Sequence, residues 1–152
     1  MKTGLLLLLL SLLSFTSYSQ TITKSKIYKR GLFSVSEMSD GRILFIYQNP
    51  KYQTIIDLVS FSTTNKDSAI FLIDESLRIL EMEKTSRDQH IRHKVNKISI
   101  VRYGFAQKGI HLYDGESPSL GMNKRLLLKV KQALNNYSYA NTANKSMIIQ
   151  SH

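Results

Sequence analysis

An Asp-Gly pair between two apolar runs constrains the fold of this chain more than any other feature. Phe33 and Val35 alternate with serines before the pair, and a nearly continuous apolar run, residues 43–47, follows it. Asp40-Gly41 is a strong hairpin signal, because a type I′ turn requires positive φ at both central residues. We therefore expect an antiparallel pair of strands in the first half of the chain.

Other short apolar segments extend this pattern. Strands are predicted over residues 31–38, 42–48, 52–61, 97–105 and 109–114. Residues 20–30 fit either an edge strand or a loose arm. Residues 115–121 hold two glycines and Pro118 and are typical of a loop.

Two amphipathic segments predict helices. Residues 64–84 place Ile73, Leu77 and Leu80 on one face and acidic residues on the solvent side, and Thr64 with Asp67 fits a capping box. A closing helix is predicted to follow Asn123 as its N-cap and to end at residues 135–136. The order β-β-β-α-β-β-α predicts an α+β domain, with a mostly antiparallel sheet of about five strands and both helices packed on one face.

The first nineteen residues have the pattern of a secretory signal peptide. Lys2 precedes an apolar run over residues 5–13, and Ser17 and Ser19 occupy the −3 and −1 positions for cleavage before Gln20. The run is about half of the roughly twenty residues that a membrane-spanning helix needs, so we expect no transmembrane anchor in the mature chain. The prediction is an exported protein, periplasmic or secreted. It has one globular domain over residues 20–136 and a polar, disordered tail over 137–152.

Composition limits the chemistry. The chain has no cysteine, which excludes disulfides, thiol nucleophiles and thiolate metal sites. Its formal net charge of +10 favours attraction to polyanions such as acidic polymers or anionic membrane surfaces. Candidate binding residues are the basic side chains near the second hairpin and at the start of the closing helix: Lys97, Arg102, Lys108, Lys124 and Arg125.

Catalytic and metal signals are weaker. His90 and His93 have the spacing of a metal pair, but the basic residues around them would repel a divalent cation, so no metal or cofactor is expected. Ser117 resembles a nucleophile-elbow serine, but Ser119 stands where that motif needs glycine. Asp57 falls among apolar residues and is expected to need a cationic partner, for which Arg42 or Arg102 is the candidate.

These observations favour a non-enzymatic function. The leading hypothesis is an exported binding or accessory protein that contacts an anionic macromolecule or another envelope protein through its basic surface. The alternative is a small secreted hydrolase with a histidine-centred site, built on His90, His93 or His111.

Overall fold

The chain folds into two consecutive ββββα units. The computed structural model describes residues 25–52, 54–82, 91–103 and 109–138. The elements are β1 (Ser25–Arg30), β2 (Phe33–Glu37), β3 (Ile43–Gln48), β4 (Leu58–Thr63), α1 (Lys66–Glu81), β5 (Ile91–Val95), β6 (Ile98–Arg102), β7 (Gly109–Tyr113), β8 (Leu120–Asn123) and α2 (Lys124–Asn136). Each unit contributes one antiparallel sheet, with orders β1-β2-β3-β4 and β5-β6-β7-β8. We call the first four strands with α1 the first unit, and the rest the second unit.

The α+β class is confirmed, but the prediction of one sheet with about five strands is wrong. Two of the additional strands were hidden by their composition. In β5, two cations and His93 alternate with only two branched apolar residues, and β8 has four residues including a glycine. Such strands form because hydrogen bonding to neighbouring strands and packing in a shared core stabilise them. Tertiary context therefore overrides their weak local propensity.

Equivalent positions of the two units share local geometry. Gly31 ends the β1 strand with φ +57°, and Asn96 occupies the matching turn between β5 and β6 with φ +54°. Glycine and asparagine are the residues that adopt this left-handed conformation most readily. Both helices also begin behind an asparagine cap. Asn65 Oδ1 accepts from Ser68 N at 2.8 Å, and Asn123 Oδ1 accepts from Leu126 N at 2.9 Å.

Two local predictions need correction. The capping box at Thr64 does not form, because Asn65 takes the cap position and the Thr64 hydroxyl bonds the Ser68 hydroxyl instead. The Asp40-Gly41 hairpin is present, but only Gly41 has positive φ. Met38 N donates to Arg42 O and Gly41 N to Met38 O, both at 2.9 Å. This pattern is a three-residue hairpin loop with glycine in the left-handed position. A type I′ turn would require positive φ at Asp40 as well, and this loop does not.

The two helices are exchanged between the units. Helix α1 contacts β6 and β7 of the second sheet in addition to β4, the strand just before it, and α2 contacts β1 of the first sheet in addition to β8, the strand just before it. The helices run antiparallel, since each helix start meets the other helix's end. Lys66 Nζ donates to Tyr137 O at 2.6 Å, and Lys124 Nζ lies 2.8 Å from Glu81 Oε1. Near the middle, Lys131 Nζ and Asp74 Oδ1 are 2.6 Å apart.

Each sheet also supports the C-terminal end of the other unit's helix. Arg102 Nη1, on β6, donates to Ile79 O at 3.0 Å and to Met82 O at 2.6 Å, which satisfies carbonyls that the end of α1 leaves unpaired. At the matching place on β2, Glu37 Oε2 accepts from the Tyr137 hydroxyl at 2.6 Å, just past the end of α2. The exchange is therefore reciprocal, although one support is a cation and the other an anion.

One hydrophobic core joins the two units. Phe45 and Phe61 stack with ring centroids 4.9 Å apart in the first sheet, and Ile100 and Leu112 pair across the second. The same cluster contains fully buried residues of both helices, such as Leu72 and Leu134. Within the described ranges, every buried side-chain nitrogen or oxygen has a hydrogen-bond partner.

Candidate binding surface

Each sheet turns one face toward the helices and the other away from them. Side chains alternate between the two faces along a strand, so the strand registers assign every residue to one face. The helix-free face of the first sheet carries Lys26, Lys29, Ser34, Ser36, Leu44, Ile46, Ser60 and Ser62. The helix-free face of the second sheet carries Arg92, Lys94, Ser99, Val101, His111, Tyr113 and Gly121.

Cations occupy matching positions on the two helix-free faces. In the strand register, Lys26 lies opposite Ser36 of β2 and Arg92 lies opposite Val101 at the matching place of β6. In the same way, Lys29 lies opposite Ser34 and Lys94 lies opposite Ser99. All four cations are exposed, and none of their side chains forms an ion pair or hydrogen bond with another described residue. No acidic residue of the eight described strands points onto either helix-free face.

The helix side of the molecule is electrostatically different. There the acidic residues of α1 neutralise three cations, because Arg78 pairs with Glu75, Lys124 with Glu81 and Lys131 with Asp74. The Arg78 guanidinium beside Glu75 holds the pKa of that carboxyl below its ordinary value. The acidic residues of α1, which the sequence predicted on the solvent side of the helix, therefore also form ion pairs with basic residues of the same molecule. Four strand cations without an ion pair to another described residue, Lys26, Lys29, Arg92 and Lys94, lie on the helix-free faces.

An aromatic cluster distinguishes the helix-free face of the second sheet. The His111 and Tyr103 rings meet edge to face at 5.1 Å, and the Tyr103 and Tyr113 hydroxyls are hydrogen-bonded. His111 Nδ1 lies 3.0 Å from Ser119 Oγ. Partial burial lowers the pKa of His111, and the bond to Tyr113 is the main cause of a raised pKa at Tyr103. The cluster thus presents neutral hydroxyl and imidazole groups beside Arg92 and Lys94.

A groove separates the two units on the same side as Leu44. Its polar lining is Arg42, Ser60 and Ser62 from the first unit and Lys97, Asp114 and Glu116 from the second. It encloses about 370 Å³. A neighbouring pocket of about 310 Å³ shares Ser62 and Lys97 and has an apolar floor that includes Leu72 and Val95. Lys97 therefore stands where the two cavities meet.

The residues singled out in the sequence do not converge on one site. Lys97 lies on the β5–β6 turn, whereas Arg102 points toward the helices and holds the end of α1. Lys124 is paired with Glu81, and Arg125 is exposed on α2. Lys108 and His90 lie outside the described residues. Strand alternation, applied to the edge strands β1 and β5, could have found the cations of the helix-free faces.

The catalytic and metal candidates are also dispersed. His93 Nε2 lies 3.3 Å from Glu75 Oε2, on the helix side, and the described residues hold no cluster of three potential metal ligands. His111 meets Ser119 rather than Ser117, whose hydroxyl donates to Ser60 O. Asp114 accepts from the backbone of Glu116 and Ser117, so its carboxylate shapes the β7–β8 loop.

Asp57 has neither of the partners expected for it. It lies in the loop before β4 and accepts from Asn49 Nδ2 at 2.8 Å. Arg42 is engaged by Asp40, and Arg102 by the end of α1.

Comparison with known proteins identifies no relative: no family model, no curated protein and no solved structure matches this chain. None of the described helices is long and apolar enough to cross a membrane.

Proposed function

We propose that this protein is an exported, non-enzymatic binding module that holds an anionic macromolecule or surface of the cell envelope. The observation that carries the proposal is the set of four cations without an ion pair, at matching positions on two sheet faces to which the described strands contribute no acidic residue. Like charges at this density attract polyanions, and exposed side chains can reach a partner without unfolding any element.

Retention on a heparin column, used as a soluble polyanion, tests the proposal. The full mature chain should be retained at low salt and released as salt rises, because counterions compete for each contact. Replacing Arg92 and Lys94 by glutamine should lower the salt concentration at elution. Replacing Lys26 and Lys29 by glutamine should lower it by a similar amount. Removing two contacts should reduce the slope of log affinity against log salt by about two.

A matched control variant separates surface position from net charge. Arg125 and Lys129 are exposed on α2 and, like Arg92 and Lys94, comprise one arginine and one lysine. Replacing both by glutamine removes the same charge from the helix side and should leave elution nearly unchanged. An equal loss in this control would show that retention follows net charge or the closing helix, and the proposal would be wrong.

The hydrolase alternative is supported by one contact, the 3.0 Å approach of His111 Nδ1 to Ser119 Oγ. A neutral imidazole at this distance can accept a hydroxyl proton. Hydrolysis of an ester or envelope polymer that disappears in both Ser119→Ala and His111→Gln, with folding intact, would favour this alternative. No turnover by the unaltered protein would leave binding as the function.

A further inference from the structure

Exposed apolar side chains are concentrated at one end of the first sheet. Within the described ranges, eight large hydrophobic residues are exposed, and five of them lie at this end. The β1–β2 turn contributes one and the β3–β4 segment contributes four, since both connections follow strands that run in the same direction. We call these five residues the apolar end: Leu32, Tyr52, Ile55, Ile56 and Leu58.

Hydrogen bonds hold the described residues of the β3–β4 loop in this exposed position. Asn49, itself buried, donates from its backbone to Asp57 O at 2.7 Å and from Nδ2 to Asp57 Oδ2 at 2.8 Å. Gln48 Nε2 donates to Tyr52 O at 3.2 Å and to Ile55 O at 3.4 Å. These bonds clasp both ends of the loop, so Ile55 and Ile56 stay 58% and 75% exposed instead of folding back on the sheet.

Charge at the apolar end is positive. Residues 29–33 and 47–58 contain Lys29, Arg30 and Lys51, and the one acid among them, Asp57, is clasped by Asn49. Lys51 Nζ also lies 5.5 Å from the centre of the Tyr52 ring. Tyrosine, branched aliphatic residues and lysine together are the side chains that favour the interface of an anionic bilayer.

We infer that the apolar end inserts into the surface of an anionic lipid membrane, while the neighbouring cations bind lipid headgroups. This inference rests on the proposed function and names its anionic partner. Exposed isoleucines supply the apolar burial that a soluble polyanion could not use, and cations within the same segments supply the attraction to headgroups. A contact of this kind places the protein on the membrane surface without crossing it.

Sedimentation with vesicles tests the inference on the full mature chain. Vesicles of phosphatidylglycerol and phosphatidylcholine should bind the protein, and vesicles of phosphatidylcholine alone should not. Replacing Ile55 and Ile56 by serine should weaken binding to the anionic vesicles about tenfold or more, since two insertable side chains are removed. Replacing Phe71 and Leu128, which are 54% and 48% exposed on the helices, by serine is the matched control and should leave vesicle binding unchanged.

The outcomes separate the inference from the proposed function. Retention on heparin without binding to anionic vesicles would overturn the membrane inference and keep the polyanion function, whereas loss of both would overturn both. Equal vesicle binding by the Ile55 and Ile56 variant and by the control would also overturn it. If the unaltered protein is a dimer and the variant with Ile55 and Ile56 replaced by serine is a monomer, a second copy of the chain covers the apolar end instead. Unchanged thermal unfolding confirms that the variants are folded.

Discussion

The two units share one frame but use its ends differently. In the first unit the β3–β4 loop is clasped by Asn49 and extends Ile55 and Ile56 into solvent. In the second unit the matching β7–β8 loop is polar and turns inward, where Pro118 O accepts from the Tyr47 hydroxyl and Ser117 donates to Ser60 O. The difference shows that strands and caps preserve the architecture, while the loops determine which surface contacts a partner and which joins the units.

The same contrast appears in the short turns. Leu32 follows Gly31 in the first unit, and Lys97 follows Asn96 in the second. One turn therefore adds to the apolar end, and the other places a cation between two cavities. Backbone conformation is conserved between the units, but side-chain chemistry is not.

The largest expected difference between the units concerns the residues that support the exchanged helices. Arg102→Ala removes two charge-assisted hydrogen bonds, a part-buried one to Ile79 O and an exposed one to Met82 O, and should lower the free energy of unfolding by about 2–3 kcal/mol. Glu37→Ala removes one bond to a tyrosine hydroxyl and should cost about 1 kcal/mol. Urea unfolding measures both. Arg92→Ala, on the helix-free face, is the control and should change stability by less than about 0.5 kcal/mol.

Equal effects are expected where the units are alike. Asn65→Ala and Asn123→Ala each remove a side-chain cap and should each lower stability by about 1 kcal/mol. The two caps lie at opposite ends of an antiparallel helix pair, so the double variant should be additive within about 0.5 kcal/mol. Chemical denaturation of the three variants provides the measurement. A marked non-additivity would mean that the helices communicate through more than their separate ends.

The smallest expected effect is a dependence on pH that only the second unit shows. Burial lowers the pKa of His111 below its ordinary value of 6.5, so the unfolded chain takes up a proton more readily than the folded one. Stability should therefore decrease as pH falls through about 6.5 and level off below the folded pKa. His111→Gln should flatten this decrease in thermal unfolding curves recorded between pH 7.5 and 5. His93→Gln is the comparison, and an unchanged profile in His111→Gln would contradict the assignment.

Local patterns predicted much of the fold correctly. The α+β class, the hairpin at Asp40-Gly41, the cap at Asn123 and both helices are present. These features depend on residues close in sequence, such as a turn glycine or an amphipathic stripe. The separation into two sheets could not be predicted in this way, because β5 and β8 are selected by pairing with β6 and β7 rather than by their own composition.

The candidate site required the tertiary structure for a different reason. Arg102 and Arg92 are both basic residues near the second hairpin, and residue type and position in the chain alone do not distinguish them. The strand register places Arg102 against the end of α1 and Arg92 on the helix-free face. Which cations are already neutralised depends on the exchanged helices, whose acidic residues meet cations far away in the chain, as Glu81 meets Lys124.

The exchange of helices has a consequence for the order of folding. The first sheet gains its contacts with α2 only when α2 is available, and the bond from Tyr137 to Glu37 closes a loop of 100 residues. Closing so long a loop is entropically costly and makes folding slow relative to a protein with local contacts. A nascent chain that ends before residue 124 would thus lack the part of the core that α2 contributes, Leu127, Val130 and Leu134. The core is therefore complete only after nearly the whole chain has been made.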